Sequence, residues 1–88
     1  MTKERLLQIA ELVYDANERF RELGHNTVIS MEVGEFPEVY INTNWNGNDF
    51  LNHYRYRAKS VLPHDNVDPR FDAAEHRIRT LMEEAGRG

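Results

Sequence analysis

The sequence predicts an α+β fold: an N-terminal helix, an antiparallel β-hairpin or three-stranded meander, and a C-terminal helix, with both helices on one sheet face. Three observations carry this. Apolar residues recur at helical spacing near the start of the chain and again near its end. Between them, apolar and polar residues alternate with the period of a strand. Eighty-eight residues make one domain, 1–88, with room for a single thin core.

Thr2 is placed to cap a first helix running to about Leu23. Leu6, Ile9, Ala10, Val13, Ala16, Phe20 and Leu23 form its apolar stripe, widened by Leu12. Asp15 and Arg19 stand one turn apart for an outer ion pair. Gly24 follows the last periodic residue, where a left-handed stop suits glycine. Leu7 and Tyr14 fall outside the stripe.

Asn26 to Val33 alternates, with Ile29, Met31 and Val33 on one face. Gly34 and Pro37 bracket a short loop, so a hairpin follows. Pairing Val33 with Val39, Met31 with Ile41 and Ile29 with Thr43 puts the apolar side chains on one face, joined by Trp45 as a core residue. Asn48 to Leu62 carries two readings. As a helix it has Asn48 as cap and Pro63 as stop. As a strand over about Asn52 to Lys59, it follows the turn Asn46-Gly47-Asn48 and alternates Tyr54-Arg55-Tyr56-Arg57. The turn and the alternation favour the strand. Asp68-Pro69 then opens the last helix, with Phe71, Ala74, Ile78, Leu81, Met82 and Ala85 on its apolar face, Glu75 and Arg79 paired outside, and Gly86 at its end.

The formal net charge is −4. The first forty residues are acid-rich, whereas Phe50 to Lys59 holds His53, Arg55, Arg57 and Lys59 and no acid. Such a balance does not suit broad coating of nucleic acid, whose phosphates supply most non-specific affinity. No cysteine is present, so there is neither a disulfide nor a thiolate metal site. There is no bilayer-length apolar run and no signal-peptide pattern, so the expectation is a cytoplasmic protein without membrane attachment.

Catalytic and metal chemistry find no foothold. His25, His53, His64 and His76 lie far apart, and zinc needs three or four convergent ligands. Ser30 and Ser60 lack a glycine elbow, and there is no Gly-rich phosphate loop. The expectation is a non-enzymatic protein with no cofactor and no metal.

Two surfaces stand out instead. Phe36 sits in the hairpin loop among Glu32, Glu35 and Glu38, as an apolar tip ringed by acids. Tyr40, Asn42 and Asn44 form a polar ribbon on the outer strand face. Together these seven residues are the expected partner contact, with a protein as the partner. The alternative is a nucleic-acid binder that uses the ribbon, with Arg55, Arg57 and Lys59 as candidate phosphate contacts. Open sheet edges, and Leu7 and Tyr14 on the first helix, also predict a weak homodimer.

The plan of helix, small antiparallel sheet and helix in a short acidic chain resembles small phage-encoded accessory proteins of the anti-CRISPR type. That resemblance implies a stoichiometric inhibitor of a host defence protein; it rests on architecture and composition and carries over no residue. With a third strand, the order is also similar to that of double-stranded-RNA-binding domains. Those begin their last helix with lysines, where this chain has Asp68-Pro69-Arg70-Phe71-Asp72.

Overall fold

The apolar stripe near the N-terminus folds as helix α1, Lys3–Leu23, and buries Ile9, Val13, Ala16 and Phe20. A computed structural model describes residues 3–34, 36–45, 50–57 and 69–87. Thr2, Asp68 and the Asn46-Gly47-Asn48 turn lie outside the described residues, as do Glu35, Lys59 and the side chain of Trp45. Ala10 and Leu23, expected in the stripe, are exposed at its margins, and Leu6 and Leu12 pack partly against the core. Gly24 ends α1 at φ 66°. Its N–H donates to the Arg21 carbonyl at 3.2 Å, and the His25 N–H donates to Phe20 at 2.8 Å. This is the paired arrangement that satisfies the last carbonyls of a helix. Arg19 faces Glu22 at 3.9 Å rather than the expected Asp15.

Three strands follow: β1 Thr27–Glu32, β2 Glu38–Trp45 and β3 Phe50–Arg57. They form an antiparallel meander in the order β1-β2-β3. The strand reading of the third segment is therefore the correct one. Helix α2, Pro69–Arg87, closes the chain and continues through Gly86, which was expected to end it. Arg5 of α1 bonds Asp72 and Glu75, each at 2.6 Å, near the starts of both helices. Arg19 lies beside Gly86 near their ends, so the helices run parallel.

Both helices cover the same sheet face. Ile29, Val39 and Ile41 from the sheet meet Phe71, Ala74, Ile78 and Ala85 from α2 and the buried side chains of α1. Tyr54 and Tyr56 pack at the rim.

The register corrects the expected one by two residues. Ile29 pairs with Ile41, Met31 with Val39 and Thr27 with Thr43. Val33 consequently leaves the sheet and is 66% exposed. A two-residue slip keeps each side chain on its face, so alternation does not distinguish the two registers. Polar detail does. The Thr27 and Thr43 hydroxyls bond at 2.8 Å inside the core, and Pro37 is buried where the loop returns.

The edge of β1 is guarded. The Asn44 N–H bonds the Asn26 carbonyl at 2.9 Å. Antiparallel alternation therefore turns the backbone groups of Ile29 away from β2. The Asn17 side chain of α1 meets both of them: its amide donates to the Ile29 carbonyl at 2.7 Å, and the Ile29 N–H donates to its Oδ1 at 2.9 Å. A side-chain amide thus stands where a neighbouring strand would bind. On the opposite edge, Arg70 of α2 donates to the Arg57 carbonyl at 3.1 Å. The expected dimer through sheet edges meets these two guards. Asn17→Ala should cost about 1–3 kcal/mol, the usual penalty for unpaired part-buried polar groups. It should also promote strand-edge self-association. Urea melts and sedimentation check this; a variant as stable and as monomeric as the parent would show that the guard is idle.

Candidate functional site

The outer sheet face is set by the register. Its cross-strand rows are Val28–Asn42–His53, Ser30–Tyr40–Arg55 and Glu32–Glu38–Arg57. The loop places Phe36 beside the last row.

Glu38, in the last row, organises this end of the face, and it is not an exposed contact as expected. Its side chain is only 7% exposed. The Tyr40 hydroxyl donates to its Oε2. Arg55 reaches Oε1 twice, through Nη2 at 2.8 Å and Nε at 3.1 Å. Arg57 Nε approaches the same oxygen at 3.4 Å. The arginines also lie over aromatic rings, Arg55 5.5 Å from the Tyr40 centroid and Arg57 5.0 Å from that of Phe36. Cations in this position are drawn to the ring face. One carboxylate thus orders two arginines and two aromatic rings around a shallow depression of about 380 Å³.

The Tyr40 hydroxyl, and then the Arg55 guanidinium, hold the Glu38 carboxyl below its ordinary 4.5. The same hydrogen bond pushes the Tyr40 phenol up.

The expected site residues separate into groups. Glu32, Phe36, Glu38, Tyr40, Arg55 and Arg57 come together around the depression. Phe36 is exposed as expected, with the Arg57 guanidinium over its ring. Asn42 lies one row away, its Oδ1 accepting from His53 Nδ1 at 2.7 Å. Asn44 has φ 62°, a left-handed conformation that asparagine tolerates well, so its place in the strand has a backbone reason. Glu35 and Lys59 lie outside the described residues.

Among the described residues no group of three His, Asp or Glu side chains forms a metal site, and no helix is long and apolar enough to cross a membrane. No protein-family model, curated protein or solved structure matches the chain.

Because the folded state lowers the Glu38 pKa, its contribution to stability is whole above the ordinary value of 4.5 and is lost as pH falls through the lowered folded value. Glu75, held down chiefly by the hydrogen bond from Arg5, acts in the same direction. Glu38→Gln should lower the melting temperature at neutral pH and flatten, without abolishing, the loss of stability on acidification. Thermal melts across the acid range check this; an unchanged slope would remove Glu38 as the organising charge.

Proposed function

We propose that the chain is a non-enzymatic protein-binding module whose contact surface is the outer sheet face, centred on Phe36, Tyr40, Arg55 and Arg57, with Glu32 and Asn42 at its margin. One observation carries the reading: the buried Glu38 holds aromatic and arginine side chains in place on the face opposite both helices. Tyr and Arg are enriched where binding energy concentrates, and side chains already ordered lose less entropy on docking. Glu38 serves this surface by positioning, not by touching the partner. A stoichiometric inhibitor of a host defence protein is the form of binding that the resemblance to phage accessory proteins adds, and that part rests on architecture alone.

The nucleic-acid alternative uses the same Tyr40, Asn42, Arg55 and Arg57. Two features weigh against it. Both arginines answer Glu38, which reduces their attraction for phosphate. Arg70, the base at the start of α2, donates to a backbone carbonyl.

Ser30→Arg adds bulk and charge to the face, directly opposite Tyr40. Ala73→Arg does the same on the outside of α2 and serves as the control. In capture from extract of the cells that make the protein, the parent and Ala73→Arg should retain a common protein partner that Ser30→Arg loses. A parallel titration with mixed DNA and RNA should show no binding at low salt. Nucleic-acid binding that weakens steeply with added salt would support the alternative instead.

A further inference from the structure

Helix α1 turns a second surface to solvent, away from the sheet face. Leu7 is 55% exposed and Tyr14 67% exposed, with the exposed Ala10 between them. Their spacing of three and four residues makes one continuous stripe. With Glu11 and Asp15 they line a shallow groove of about 470 Å³. The core does not use these side chains, because α1 already buries Ile9, Val13, Ala16 and Phe20 on its other side.

One flank of the stripe is an acidic ridge. Glu4, Glu11 and Glu18 recur every second turn, and Asp15 stands between them. Arg21 answers Glu18 at 3.7 Å. Among the described residues, nothing pairs with Glu4, Glu11 or Asp15. On the opposite flank α1 meets the sheet through Asn17.

We propose that this stripe is a docking surface for a basic amphipathic helix of a partner protein. Apolar side chains at three- and four-residue spacing seat in such a groove, and lysines or arginines along their flank meet the unanswered carboxylates. Charge disfavours antiparallel pairing with the obvious competitor, a second copy of this chain. Pairing two α1 helices antiparallel about a two-fold axis sets their acidic ridges against each other. The proposal stands apart from the sheet-face reading and shares no residue with it.

The probe is a labelled synthetic helix of leucine and lysine, with leucines at i, i+3, i+4 and i+7, titrated with the intact protein by fluorescence anisotropy. Saturable one-to-one binding is expected. Leu7→Ser/Tyr14→Ser keeps every charge and should weaken it at least about tenfold. Glu11→Gln/Asp15→Asn should weaken it and reduce its salt dependence. Ser30→Arg, on the sheet face, should leave it unchanged. Thermal melts confirm that each variant is folded. Absence of binding overturns the proposal. So does equal affinity for Leu7→Ser/Tyr14→Ser, which would mean charge attraction without a seat. A parent dimer in sedimentation that this double variant abolishes would give the stripe to a second copy and overturn it equally.

Discussion

The cross-strand row Ile29–Ile41–Tyr54, held under two parallel helices, constrains everything else in the molecule. Ile29 and Ile41 must be buried, and both helices are used in burying them. The sheet therefore keeps a face and two edges without helical cover. Asn17 and Arg70 reach back from the helices to answer backbone groups at the edges. The outer face is organised by charge rather than by apolar packing. A carboxylate there would ordinarily stay in water, since burying it costs far more than any one contact returns. Glu38 is sheltered because a phenol and two guanidinium groups close over it.

The two surfaces differ in character for a reason that starts in the sequence. β3 carries Arg55 and Arg57 and no acid, whereas α1 carries five acids against four Lys and Arg. The fold sends β3's arginines to the outer sheet face and α1's carboxylates to the solvent side of the helix. It buries Glu38 beneath those arginines. The result is an arginine–aromatic face and an acid-flanked apolar stripe on one small domain. The two surfaces share no residue.

Much of this was legible in the sequence. The helix stripes and the strand alternation determine the layers, and Leu7 and Tyr14 stood out by falling off the stripe. The register was not legible, because alternation is unchanged by a two-residue slip, and only the Thr27–Thr43 hydroxyl pair and the loop around Pro37 resolve it. The role of Glu38 was hidden for a related reason: its arginine partners lie on β3, a segment that reads as either helix or strand. Two asparagines did carry a signal. Asn17 is a poor helix former in mid-helix and Asn44 a poor strand former one residue from the end of β2, and each has a backbone role. Their oddity was visible, whereas the groups they serve became visible only in three dimensions.

Core and outer face depend on two registers, one that buries Ile29 against Ile41 and one that sets Tyr40 beside Arg55. In an antiparallel sheet the α-protons come closest at pairs that do not share hydrogen bonds. A nuclear Overhauser spectrum of the protein in heavy water therefore reads both registers directly. Strong α-proton cross-peaks are expected between Ile29 and Ile41 and between Tyr40 and Arg55. Cross-peaks between Met31 and Ile41 instead would return Val33 to the sheet. Loss of the Tyr40–Arg55 cross-peak would take Glu38 out of its cluster and contradict the account.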